Sequence, residues 1–200
     1  MASGTATAHV MIRRMPNAAH ANATYQDIID LPENMVGEII HGQLHTHPRP
    51  APRHARACSA LGGLIGGPFD FGGNGPGGWW ILDEPELHLG GHILVPDIAG
   101  WRRETLPELP ETAWFEVAPE WACEILSPST ARTDRILKMP LYAEQGVQHC
   151  WLVDPELKTL EIYRLGSDGY WTLIATLKDD DPVRQPPFEM IEFPLDMLWP

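Results

Sequence analysis

Apolar positions along the chain follow an irregular pattern in its first half and a regular one in its second. Residues 1–22 are rich in Ala, Thr and Ser with no sustained period, so they are expected to form a mobile tail ahead of a single domain over 23–200. Thr24 is placed to cap a short helix over 25–31, with Pro32 ending it. In MVGEIIHGQLHTH two strand-like runs meet at His41-Gly42, a hairpin pattern. Ala55, Cys58, Leu61, Leu64 and Ile65 recur at helical spacing and predict a helix from about Pro52 to Ile65, weakened at its end by Gly62 and Gly63. A loop over 66–78 then leads into the strand WWILDE. Within that loop GNGPGG matches the letters of G-x-G-x-x-G, but it feeds a strand and not the helix that would hold a pyrophosphate.

The second half reads more cleanly. HILVPDIAGW predicts one strand, residues 102–119 a polar, proline-rich loop, and EWACEILS a second strand, apolar except for its flanks and Glu124. A helix capped by Ser127 or Ser129 should run to about Gln145 and stop at Gly146, with a kink or break at Pro140. HCWLVDP, TLEIYRL and YWTLIATL, separated by Asp154-Pro155 and Ser167-Asp168-Gly169, form a β-meander. The expected class is therefore α/β, a mixed β-sheet flanked by two or three helices.

Composition sharpens that picture. With 200 residues, 44% of them hydrophobic and 20% charged, the chain can bury one sizeable core. The net charge of -13 weighs against a surface built to neutralise nucleic-acid phosphates, although a carboxylate site with bound divalent ions adds negative charge and reverses the local sign. Cys58, Cys123 and Cys150 form no CxxC pair and read as buried free thiols in a reducing compartment. No signal-peptide pattern and no membrane-length apolar run is present, so the expected setting is soluble and cytoplasmic.

The candidate chemistry lies in carboxylates set among apolar neighbours. Asp97 follows Pro96 at the end of an apolar run, and Glu124 interrupts a core-like strand. Each would be costly there unless paired or coordinating a metal. Two carboxylates on neighbouring strands would offer the hard oxygen ligands that Mg²⁺ or Mn²⁺ takes, leaving positions for waters and a substrate phosphate. Lys138, one helical turn after Asp134, is the candidate cation, against the alternative of an ordinary surface ion pair. Glu38 is a third carboxylate between apolar residues, equally readable as an exposed strand position.

The series GEIIHGQL, VPDIAGW, EILSPSTARTDRILKMPLYAEQGVQHCWLVDP and FPLDMLW resembles the Uma-two family of restriction-endonuclease-like proteins in the PD-(D/E)XK nuclease superfamily. The likeness spans about residues 24–200, and its most specific part is the ordered S-P-S-T…D…K…Y…G-V…W-L-V-D-P string. It implies a restriction-endonuclease-like core, Asp97 as the acid of the PD element, Glu124 as the acid opening the (D/E)XK element, and a Mg²⁺- or Mn²⁺-dependent endonuclease acting on DNA. Leu126 stands where that element's lysine would be, and Lys138 matches the position to which the family moves it. Glu38 matches the family's N-terminal acid, and the Ile125 carbonyl matches a backbone metal ligand. The implied metal set is Asp97, Glu124, Ile125 and Glu38.

Other features carry weaker readings. His45 and His47 alternate onto one strand face near His54, but nothing completes a zinc set, and they read as polar residues on a solvent-facing strand. Arg53, Arg56, Arg102, Arg103, Arg132 and Arg135 are candidates for phosphate contact, with solvated arginines as the alternative. Asp154 reads as a turn former. The eight tryptophans could furnish an apolar interface for a homodimer. The competing functions are an inactive nuclease-fold interaction module, which the acidic balance favours, and a hydrolase of another phosphate ester.

Overall fold

The computed structural model describes residues 22–200, so all but the last residue of the expected N-terminal tail lies outside the described residues. A short helix α1, Tyr25–Ile29, opens the fold, with the Thr24 amide and hydroxyl both donating to the Asp27 carboxylate (2.7 and 2.9 Å). Strands β1, Met35–Ile40, and β2, Gln43–Pro48, form the expected hairpin. His41 and Gly42 both take left-handed φ values of 51° and 74°, the geometry of a tight two-residue turn whose twist matches its strands.

Helix α2, Pro52–Phe69, runs a full turn beyond the expected end. Ala57, Leu61, Ile65 and Phe69 bury one stripe at four-residue spacing, and that burial outweighs the helix-weakening glycines. Strand β3, Trp79–Asp83, follows, and then β4, Leu87–Leu89, which the apolar pattern did not single out.

The run HILVPDIAGW is not one strand. It divides into β5, His92–Leu94, and β6, Ile98–Arg102, which belong to different sheets. Pro96 has no N–H to give a ladder, and the chain steps from one sheet to the other across Val95-Pro96-Asp97. Asp97 therefore stands at the junction of the two sheets.

The larger sheet is completed by β7, Trp121–Ile125, β8, His149–Asp154, β9, Thr159–Leu165, and β10, Trp171–Lys178. Its order is β10-β9-β8-β7-β6-β3, mixed because β7 and β8 pair in parallel while its other neighbours are antiparallel. The smaller sheet, β2-β1-β5-β4, is antiparallel throughout. Two short strands, β11, Pro182–Val183, and β12, Phe193–Pro194, pair near the C-terminus.

The parallel β7–β8 connection carries a composite helix α3: an α-turn Ala131–Thr133, a π-helical stretch Asp134–Lys138, and an α-segment Met139–Glu144. Pro140 has no N–H for the carbonyl four residues back, and the widened stretch that precedes it is the form the expected kink takes. Ser127 Oγ accepts the Thr130 amide at 3.2 Å at the start, and Gly146 at φ 81° ends the element.

Strand β7 is buried on both faces. Trp121, Cys123 and Ile125 pack into a core beneath α2 with Trp79, Trp151 and Phe188. Ala122 and Leu126 pack into a second core against α3, with Trp101, Tyr142 and Leu152. Glu124, on the face of Ala122, thus directs a carboxylate toward α3. Most of the eight tryptophans serve the cores: Trp79, Trp101, Trp121, Trp151 and Trp199 are buried, Trp80 and Trp171 pack against the second core, and the half-buried Trp114 stacks on His88. No helix of the described residues is long and apolar enough to cross a membrane.

Trp151 stands edge-on to Trp121 (5.5 Å between centroids) and donates its indole N–H to the Pro186 carbonyl at 2.9 Å. Trp151→Ala should cost about 3–5 kcal/mol in guanidinium unfolding, and Trp151→Phe distinctly less.

Candidate active site

Four elements deliver charged side chains to the seam between the sheets. Glu38 comes from β1, Asp97 from the β5–β6 step, Glu124 from β7, and Asp134 and Lys138 from the π-helical stretch of α3. Glu38, Glu124, Asp134 and Lys138 are only 1–3% exposed, so neither the exposed-strand alternative for Glu38 nor the surface-pair alternative for Lys138 holds. The Lys138 ammonium donates to both Glu124 oxygens (2.9 and 3.0 Å), to Glu38 Oε1 (3.0 Å) and to the Val95 carbonyl (3.0 Å). Asp134 Oδ1 lies 3.8 Å away. Glu124 Oε1 also accepts the Tyr142 hydroxyl at 2.5 Å, and Glu38 Oε1 the Val95 amide at 2.8 Å.

Asp97 is held differently. Its Oδ2 accepts the Ile125 amide at 2.7 Å, and its Oδ1 lies 3.1 Å from His54 Nε2 on α2. The two backbone groups of an extended residue face the same neighbouring strand, so the Ile125 carbonyl is directed to the side of Asp97. Asp97, Glu124, Asp134, Lys138, His54 and Ser127 line one cleft of about 300 Å³. Glu38 lines a smaller adjoining pocket with His45, His47 and Asp134.

The charges do not balance. Of the four carboxylates, Glu38 and Glu124 are in direct contact with Lys138, Asp134 lies 3.8 Å from it, and Asp97 is in contact with His54, while Arg49 stands on the cleft wall. Burial raises the pKa of Glu124 well above the usual carboxylate range, reinforced by Asp134, Asp97 and Glu38 and opposed by Lys138. Burial likewise pushes Asp134 up to about 6, with Lys138 opposing. Burial works against a charged Lys138, but Glu124, Glu38 and Asp134 outweigh it and hold the ammonium. For His54 burial favours the neutral ring, and Asp97 overcomes it, raising the pKa.

Among the described residues no three His, Cys, Asp or Glu side chains are grouped as metal ligands. Between Glu38 and Glu124 the cation is Lys138. The donors that face the cleft are nevertheless hard oxygens in negative excess, and Mg²⁺ binds through one or two carboxylates while keeping several waters. Asp97 and Glu124 line that cleft, with the Ile125 carbonyl on the side of Asp97, and fit that demand once Lys138 yields a Glu124 oxygen; Glu38 opens on the adjoining pocket, its Oε1 held by Lys138 and Val95.

Some contributors had no sequence signal. His54 is marked in sequence only as a neighbour of His45 and His47, and its contact with Asp97 depends on α2 packing across the sheet seam. Tyr142 lies within the family-like string without an assigned role. The arginines are mostly used internally: Arg103 binds Asp70, Arg135 binds Glu161, Arg56 donates to the Met197 carbonyl, and Arg102 lies over Trp79. Asp154 is the expected turn former, accepting the Glu156 and Leu157 amides at 2.9 Å each.

The model of the Uma2 family, described as "Putative restriction endonuclease", matches residues 24–197. Among solved structures, a "putative nuclease belonging to DUF820" from Anabaena variabilis ATCC 29413 superposes with a TM-score of 0.70 at 25% identity, covering 88% of this chain and 97% of that one. No curated protein matches the chain.

Lys138→Met should remove the charge compensation of three buried acids and cost about 3–5 kcal/mol in urea unfolding at pH 7. Asp134 has a folded-state pKa raised from 3.8 to about 6. Its contribution is therefore fully present below about pH 4 and lost as pH rises through 6, an effect of a few kcal/mol. Melting temperatures of the metal-free protein should show that loss, and Asp134→Asn should flatten it.

Proposed function

Since this chain belongs to the Uma2 family, described as "Putative restriction endonuclease", we propose that it is a Mg²⁺- or Mn²⁺-dependent endonuclease that hydrolyses phosphodiester bonds, in DNA first of all. The observation that carries the reading is the meeting of Asp97, Glu124 and Lys138 in one cleft at the seam of the sheets. Asp97 and Glu124, with the Ile125 carbonyl, would hold the cation, which when bound supplies charge to offset that building on the phosphate and lowers the pKa of a water.

The remaining work falls to the chain's own groups. The Ile125 amide and His54 fix both oxygens of Asp97 in advance, so its orientation costs little at the moment of binding. Lys138 brings N–H donors to the cleft wall, suited to a phosphate oxygen or to the water that attacks phosphorus. Glu38 takes the place of the family's N-terminal acid. Its part is to hold Lys138 at 3.0 Å, with cation ligation open to it when the lysine turns to substrate. Cutting both strands of a duplex would call for a homodimer, which sedimentation of the protein with its substrate would register.

A second reading is favoured by one observation, the complete engagement of Lys138 by protein acceptors: an interaction module that keeps the nuclease fold. Plasmid, single-stranded DNA and RNA incubated with Mg²⁺, Mn²⁺ or EDTA separate the two. Cleavage should require the cation and fall at least about 100-fold in Asp97→Ala and in Lys138→Ala. Calorimetry should show cation binding that Asp97→Ala abolishes. Absence of both cleavage and such binding would overturn the endonuclease and leave the interaction module; hydrolysis confined to small phosphate esters would reassign the substrate.

A further inference from the structure

A second pocket of about 340 Å³ adjoins the acidic cleft and shares Ala51, His54, Ser127 and Pro128 with it. Its own walls are Pro52, Leu126 and Pro155, and its polar groups are Arg53 and Glu156. The walls are set in place by the fold. Pro52 begins α2, the Leu126 amide donates to the Val153 carbonyl at 2.7 Å, and the turn after Pro155 is tied by Asp154. A largely apolar pocket beside a phosphate-chemistry site, with Arg53 and Glu156 on its outer side and His54 and Ser127 where it meets the cleft, has the make-up of a pocket that orients a flat heterocycle.

The geometry points to this pocket as the seat of an unstacked nucleobase next to the reacting phosphate, and so to single-stranded or locally opened nucleic acid as the substrate. The inference rests on the endonuclease reading for the identity of the neighbouring site. Apolar faces contact the ring, while Arg53 and Glu156 complement donors and acceptors at its edge. Charge points the same way. With 14 Lys and Arg against 27 Asp and Glu, the chain is poorly supplied for neutralising duplex phosphates. Arg56, Arg103 and Arg135 are further tied to acceptors of the protein itself. Beyond the phosphate held at the cation and Lys138, grip on the substrate then falls to contacts with the base, and a base can enter a pocket only once it has left the stack.

The test is a titration of the full chain, with Ca²⁺ as the cation, against oligonucleotides carrying 2-aminopurine, single-stranded or fully paired, read by 2-aminopurine fluorescence over a series of salt concentrations. The single strand should bind about 10-fold or more tightly than the duplex, change its fluorescence on binding, and show a shallow salt slope. Glu156→Trp, which fills the pocket from an exposed position, should weaken binding about 10-fold, and Arg53→Ala should weaken it less. Circular dichroism and melting of both variants report whether the fold is kept. Tighter or equal binding of the duplex, or binding indifferent to both substitutions, overturns the base seat. If nucleic acid is cleaved yet binding ignores Glu156→Trp, the seat falls and the endonuclease reading stands. If binding responds but nothing is cleaved by wild type, the seat stands and the endonuclease reading falls.

Discussion

A lysine ammonium withdrawn from water must be surrounded by acceptors, and buried acids must find donors; at the seam of this fold each need answers the other. Lys138 reaches Glu38 on β1, Glu124 on β7 and the Val95 carbonyl on the step between sheets, so one side chain ties α3 to both sheets. Desolvating these charges is expensive, and their mutual attraction offsets the cost only while the geometry holds. Three structural features serve that geometry: the parallel β7–β8 crossover that carries α3 across the sheet, the π-helical stretch that sets Asp134 and Lys138 inward, and the break at Pro96 that leaves Val95 and Asp97 outside either ladder.

The same cluster gives the candidate site its character. Burial by itself disfavours the charged form of Glu124 and Asp134, and the repulsion among four carboxylates that Lys138 cannot neutralise adds to it, so both pKa values lie above the usual carboxylate range. A site in negative excess, opening on a cleft through Asp97 and Glu124, has reason to take up a hard cation. The lysine beside it differs from a lysine carried on the strand itself. Delivered from the next helix, it approaches Glu124 from across the packing interface and not from along β7. Its position therefore depends on the packing of Met139, Leu141 and Tyr142 into the second core.

Much of this was legible from spacing alone. The unbroken apolar run around Glu124 in EWACEILS put that acid inside a core strand, the His41-Gly42 pair announced a hairpin, and the meander over β8, β9 and β10 followed from its turn residues and β-rich runs. Local patterns of period 2 or 3.6 are properties of consecutive residues, and they survive folding unchanged. The family likeness added the pairing of Lys138 with Glu124, which spacing could not supply. Two readings failed for one reason: HILVPDIAGW looked like a single strand and α2 looked shorter, because a run of apolar residues does not tell which sheet or core each part will join.

The amino-acid order by itself determined the α/β class and most element positions and singled out the carboxylates Asp97 and Glu124, while Glu38 stayed open between a buried and an exposed strand position. Tertiary structure alone decided what those carboxylates face. It set Lys138 and not another acid between Glu38 and Glu124, brought His54 to Asp97 from 43 residues away in sequence, and put Arg56, Arg102, Arg103 and Arg135 to internal use. The physical reason is range. Propensity and periodicity act over a few residues, whereas charge compensation in a low-dielectric seam is settled by whichever side chains the packed elements carry to within about 3 Å of one another.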